Sequence, residues 1–145
     1  VKITTKGRYA VMAMVGLAAF SRGNPIPLKE IAAQEGIPIA YLQQLFVKLR
    51  KRNLVKSVRG PGGGFILARH PSEITIGEVI RTAEGKPPAV GCRKSGRTCG
   101  MIGRCKTQGM WEALEGRMDE FLDSISVNDL FPEKGTQSQS KEAAL

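Results

Sequence analysis

Apolar positions are densest near the start of the chain, where Tyr9 to Phe20 is apolar except for Gly16. A run that is apolar on nearly every side predicts a buried first helix, with Thr4 and Thr5 as candidate N-caps and Gly23 as its stop. Pro25 and Pro27 mark a turn. "LKEIAAQEG" then predicts a two-turn helix stopped by Gly36. "IPIAYLQQLFVKLRKRN" opens with Pro38, a residue suited to the first turn of a helix. Within it Leu42, Leu45, Phe46 and Leu49 recur at spacings of 3, 1 and 3, which makes one apolar stripe. Two helices across a tight glycine turn, the second amphipathic and ending in basic residues, predict a helix-turn-helix.

The period then changes. Leu54 to Val58 alternates apolar and polar, as a half-buried strand does, and Phe65 to Leu67 is a second short apolar run. Between them lies Gly60-Pro61-Gly62-Gly63-Gly64, a hairpin loop with wide backbone freedom. A helix-turn-helix followed by a basic hairpin is a winged helix. Thr75 and Glu78 predict a capping box for a helix over Ile76 to Glu84. Trp111, Leu114, Met118, Phe121 and Ile125 recur at spacings of 3, 4, 3 and 4, a heptad-like stripe on one long helix. Ser126 and Asp129 are placed to cap a last short helix before Pro132.

The expected fold is mainly α with a small β-hairpin: a winged helix-turn-helix domain plus a long C-terminal dimerisation helix. The expected boundaries are residues 1–84 for the DNA-binding domain and 85–109 for a cysteine-rich loop. Residues 110–131 form the dimerisation helix with a short terminal helix, and the polar stretch 132–145 is a disordered tail.

Charge sharpens this picture. Residues 1–90 carry 14 Lys and Arg against five Glu, whereas residues 91–145 carry eight of each sign. The whole net charge of +9 therefore sits with the predicted winged helix, which points to a polyanion partner there. No run of 18 apolar residues exists, and Tyr9 to Phe20 lacks a signal-peptide pattern, so a cytoplasmic protein is expected.

If the second helix of the pair lies in a major groove, its early solvent-facing residues are Ala40, Tyr41, Gln43 and Gln44. A glutamine amide can bond adenine at N6 and N7 together. Lys48, Arg50, Lys51 and Arg52 follow at phosphate-contacting positions. The competing reading is a merely solvated helix face. The wing weighs against it: Arg59 precedes Gly60, Pro61 and Gly62, a tip without bulky side chains that suits close approach to a minor groove.

"GCRKSGRTCGMIGRC", residues 91–105, holds all three cysteines, Cys92, Cys99 and Cys105, with four basic residues and no acid. An odd count argues against a closed disulfide framework. The spacing lacks the close cysteine pairs usual in zinc fingers. Well-spaced thiols in a pliant basic loop suit an iron–sulfur cluster, since basic neighbours favour thiolates. Surface thiols, or one disulfide with a spare, are the bland alternative. His70 is read as a surface residue, and no nucleophile–histidine set supports an enzyme. The heptad-like stripe is either a face packed on its own domain or a dimer seam. A palindromic operator read by two winged helices requires the seam.

"KGRYAV", "YLQQLFVKLRK", "LVKSVRGPGGGFIL" and "IGEVI", followed by three spaced cysteines, resemble the iron–sulfur cluster regulators of the Rrf-type bacterial winged-helix transcription regulators. The resemblance runs from Lys2 to Leu130. It implies a homodimer, a 2Fe–2S cluster on Cys92, Cys99 and Cys105, and control, as a repressor among other modes, of cluster-assembly genes. It also implies base reading by Gln44 and minor-groove contact by Arg59, Gly60 and Pro61. This chain departs from the pattern at three places. Gln108 stands where such regulators have a fourth, histidine ligand; Gln43 and Ala40 replace a glutamate and a serine; the first cysteine gap is one residue longer. The fourth ligand is left open among Gln108, Glu112, a group from a partner subunit and solvent. A cluster-free cysteine redox switch and a small iron–sulfur electron carrier are the rival functions.

Overall fold

A computed structural model describes residues 3–85, the backbone of 93–94 and 97–98, and residues 105–130. Helix α1 spans Thr5–Ser21, α2 spans Leu28–Glu35 and α3 spans Ile39–Lys51. Strands β1 (Val55–Val58) and β2 (Gly64–Leu67) pair antiparallel, with Val55 opposite Leu67 and Val58 opposite Gly64. A 3-10 turn at Pro71–Glu73 leads into α4 (Ile76–Glu84). Two-residue strands β3 (Arg93–Lys94) and β4 (Arg97–Thr98) pair with each other. Helix α5 (Gln108–Ser124) and the short α6 (Val127–Leu130) follow.

The helix-turn-helix forms as its pattern predicts. Gly36 ends α2 at φ 67°, a left-handed conformation natural to glycine, and its N–H caps the Ala32 carbonyl. Leu42, Leu45, Phe46 and Leu49 are the buried residues of α3. Pro38 stands at the N-cap position, just ahead of the helix. Burying each of these side chains stabilises the fold by roughly 1.5–3 kcal/mol. They meet Met14 and Leu17 of α1, Leu54 and Val55 at the wing, Val79 of α4 and Val127 of α6 in one core.

The wing is anchored as well as paired. Ile26, in the segment between α1 and α2, exchanges both backbone bonds with Phe65, at 3.0 and 2.8 Å. Gly64, at φ 153°, passes so close to Ile26 that any Cβ would collide with its backbone. Phe65 also meets Phe46 edge to face at 4.8 Å, fixing the hairpin on α3.

Three expectations need correction. Helix α1 is not buried all round: Met12 and Phe20 are exposed, while Ala10, Ala13, Met14 and Leu17 face the core. Its packing face is built largely of alanine and glycine, so hydrophobicity alone cannot say which side is inward. The predicted capping box is half made. Thr75 accepts the Glu78 N–H at 3.1 Å, but the Glu78 carboxylate goes to Arg69 at 2.6 Å, a charge-assisted alternative. Ile125 is not in the long helix; it ends α5 in extended backbone and its carbonyl accepts from Ile76 at 2.8 Å. The Ser126–Asp129 cap forms in both directions, at 2.8 and 3.2 Å. His70 is exposed and caps the 3-10 turn through Nδ1. No helix among the described residues is long and apolar enough to cross a membrane.

Candidate nucleic-acid interface and cysteine site

On α3, Ala40, Gln43, Gln44, Arg50 and Lys51 are exposed, because the apolar stripe turns their positions outward. Tyr41 is only half-exposed; its ring packs edge-on against Tyr9 of α1 at 5.4 Å, which fixes the first turn of α3 against α1. Lys48 has a structural engagement that its sequence position does not suggest. Its Nζ donates to the Ala83 carbonyl at 3.3 Å, near the C-terminal end of α4, where a cation is favoured.

Arg59, Gly60, Pro61 and Gly62 form the exposed wing tip. Gly60 and Gly62 have φ of 98° and 73°, values that disfavour L side chains. Gly63 turns its N–H to the Gly60 carbonyl at 2.9 Å. The tip is thus a tight bare-backbone turn with Arg59 as its first side chain.

Of the three cysteines, Cys92 and Cys99 lie outside the described residues; Cys105 is a free, partly exposed thiol just before α5. The Thr107 hydroxyl lies 3.1 Å from its Sγ. Hydrogen bonds from that hydroxyl, then from the backbone N–H groups of Thr107 and Gln108, hold the thiol below its ordinary pKa against a small desolvation cost. A sulfur that meets the Thr107 hydroxyl at a helix N-terminus is chemically suited to be a thiolate ligand. Gln108 and Glu112, two of the candidates for a fourth ligand, are one turn apart on α5 and bonded to each other at 2.8 Å.

Sequence reasoning missed Thr107. The available signal was its spacing, two residues after Cys105 and four before Trp111, whose Nε1 lies 3.1 Å from the same hydroxyl. It also missed Glu84, at the end of α4, whose carboxylate accepts from the first turn of α1. Along α5, Met110, Trp111, Leu114 and Phe121 are exposed, whereas Leu122 and the following Ile125 pack on the core.

The family Rrf2, described as "Iron-dependent Transcriptional regulator", matches residues 3–133. The chain is 44% identical over 149 residues to the HTH-type transcriptional regulator IscR of Aliivibrio salmonicida, covering 99% of this chain and 88% of that one. It is 43% identical to IscR of Escherichia coli, covering 89% and 79% of the two chains. Among solved structures, T. potens IscR superposes with a TM-score of 0.72 at 41% identity, covering 90% of this chain and 85% of that one. CymR, the global cysteine regulator of B. subtilis, superposes with a TM-score of 0.73 at 36% identity, covering 90% and 95%. These relatives are named as regulators, not enzymes. With the winged-helix fold and the match along nearly its whole described length, the chain belongs to the Rrf2 family of iron-dependent, DNA-binding transcriptional regulators.

Proposed function

We propose that the chain is a cytoplasmic homodimer that binds a palindromic operator and senses iron–sulfur status through a 2Fe–2S cluster, regulating genes of cluster assembly. In this reading residues 1–84 bind DNA, 85–109 hold the cluster, 110–131 dimerise and 132–145 are a tail. Gln43 and Gln44 read bases in the major groove, beside Tyr41. Arg50 and Lys51 hold phosphates, and Arg59 with Gly60, Pro61 and Gly62 enters the minor groove.

Cys92, Cys99 and Cys105 would ligate the iron. The carrying observation is Cys105, a free thiol whose sulfur meets hydrogen-bond donors at the start of α5. That environment favours the thiolate such a cluster requires. Similarity to regulators named IscR supports the same reading. When bound, the cluster supplies a one-electron redox centre whose presence reports iron and sulfide supply. The residues of α5 would carry that state to the dimer, and the dimer to the recognition helices.

The test is iron, zinc and acid-labile sulfide per chain, with the absorption spectrum, on protein purified without oxygen. Iron and sulfide in equal amounts, about two per chain, with visible bands, is the expected result. Zinc, or no metal after attempted reconstitution, would overturn it. The second reading, a cluster-free thiol switch, draws on the depressed Cys105 thiol and on the likeness to a Staphylococcus aureus CymR solved in an oxidized form, at 30% identity. That reading expects the metal-free outcome. An electron carrier would lack specific, salt-sensitive duplex binding.

A further inference from the structure

We propose that Thr107 is a positioning residue for the Cys105 thiolate, and that Trp111 sets the direction in which the Thr107 hydroxyl points. The inference deepens the cluster reading and rests on it. It starts from an omission. Thr107 occupies the N-cap position of α5, yet its side chain caps nothing; its backbone is helical, at φ −100° and ψ −3°. A threonine at an N-cap ordinarily stabilises a helix by about 1 kcal/mol through that bond.

Here the hydroxyl is committed elsewhere. It lies 3.1 Å from Cys105 Sγ and 3.1 Å from Trp111 Nε1. An indole N–H only donates, so the Thr107 oxygen accepts from Trp111. When Cys105 is a thiolate, which only accepts, the hydroxyl proton points to sulfur. The result is a directed chain, from Trp111 N–H to Thr107 oxygen and from Thr107 O–H to Cys105 sulfur. Each bond polarises the next.

Such a bond has a defined consequence at a cluster ligand. A donor to the ligand sulfur favours the more negative, reduced state and raises the reduction potential. The chain also has a second end. Trp111 lies 37% exposed on the same helix as the exposed Leu114 and Phe121, so the charge on Cys105 is tied through two hydrogen bonds to the apolar surface of α5.

The test uses the full chain loaded without oxygen, as wild type, Thr107→Val, Thr107→Ser and Trp111→Phe. Iron and sulfide are assayed first, then the midpoint potential is titrated by visible absorption. Thr107→Val is expected to lower the potential, Thr107→Ser to leave it near wild type, and Trp111→Phe to lower it by less. The melting temperature of Thr107→Val should fall only slightly, since no cap is lost and both lost hydrogen bonds are exposed. Equal potentials in wild type and Thr107→Val, at equal iron and sulfide, would overturn the inference and leave the cluster reading standing. A wild type that takes up no iron or sulfide would instead bring down both.

A second measurement needs no cluster. Trp111 is the sole tryptophan, so its emission reports this chain of bonds directly. In cluster-free protein, Cys105→Ala should shift that emission, and the shift should vanish in a Thr107→Val background. A shift of the same size in both backgrounds would overturn the role of Thr107, whatever the variants do to cluster loading.

Discussion

Glu84, the last residue of α4, accepts the backbone N–H of Gly7 at 2.9 Å across 77 positions of sequence. The same oxygen accepts the Thr4 N–H at 3.0 Å and the Thr4 hydroxyl. A distant carboxylate thus caps the positive end of α1. One residue earlier, the Ala83 carbonyl accepts from Lys48 of α3. The end of α4 is therefore fastened to α1 and to α3, immediately before the cysteine segment begins. Glu84→Ala is expected to lower stability by about 1–2 kcal/mol, because part-buried donors lose their acceptor. Glu84→Gln keeps an oxygen acceptor and should cost less. Denaturant midpoints measure both, and an unchanged midpoint in Glu84→Ala would mean that water serves those donors equally well.

Arg81 of α4 holds Asp123 of α5 at 2.6 Å, with Asp119 at 3.9 Å. The bond to Asp123 raises the guanidinium pKa further, so the cation persists at any working pH. Gly77 makes room, since a Cβ there would collide with the Asp123 carboxylate. The pair is over a third exposed, so its coupling energy should be modest, about 0.5–1 kcal/mol, and weaker in salt. A double-mutant cycle of Arg81→Ala and Asp123→Ala measures it. In a Gly77→Ala background the same cycle should approach zero, because the added methyl unseats the carboxylate.

The sequence made α3, the wing and α4 legible because large apolar side chains at a clear period decided each one. Leu42, Leu45, Phe46 and Leu49 are buried as their spacing predicts. Where the inward face consists of Gly7, Ala10, Ala13 and Gly16, as in α1, period says little, and the exposed Met12 and Phe20 were misjudged. Long-range polar partners were invisible for another reason. Nothing local distinguishes Glu84, capping α1, from a solvated helix acid, and the local pattern that marked Glu78 for a capping box does not show its pairing with Arg69. At the cysteine site the thiols stood out by type. Thr107 did not, because its role depends on a side-chain direction that composition cannot give.

Glu35 predicts a pH effect. Its carboxyl packs against Gly16 of α1, where a Cβ would collide with it, and burial raises its pKa. A raised carboxyl pKa in the folded state favours the protonated form. The resulting stability is complete below the ordinary glutamate range and is lost as pH rises through the folded value. Glu35→Gln should therefore raise the melting temperature slightly at neutral pH and leave it unchanged in acid. Thermal scans at the two pH values test this. A gain of equal size at both would assign it to packing.

The proposed DNA contacts separate by kind. Gln44→Ala should relax base preference at one operator position, costing about 1–3 kcal/mol on the preferred base, with an unchanged salt slope. Lys51→Ala should weaken all sequences alike and reduce the slope by about one. Arg59→Ala should reduce affinity most where the wing meets A·T-rich sequence. Binding isotherms on operator variants at several salt concentrations distinguish the three. Unchanged selectivity in Gln44→Ala would remove α3 from the major groove.

The apolar surface of α5 gives the last prediction. Leu122, and Ile125 beyond the helix end, are spent on the core, which fixes the C-terminal end of α5 to its own domain. Leu114 and Phe121 are left 44% and 56% exposed, on a helix with no fully buried residue. In the proposed homodimer a second copy would cover them. Phe121→Glu sets a charge into that proposed seam while leaving the core residues untouched. If the wild type is the proposed dimer, sedimentation should find Phe121→Glu monomeric, with the thermal transition of the winged domain retained. Affinity for a two-half-site operator should fall about 100-fold or more, because the second half-site no longer benefits from tethering, while affinity for one half-site should not change. A Phe121→Glu protein that remained dimeric would move the seam elsewhere. One that became monomeric yet kept full operator affinity would show that each winged helix reads its site alone.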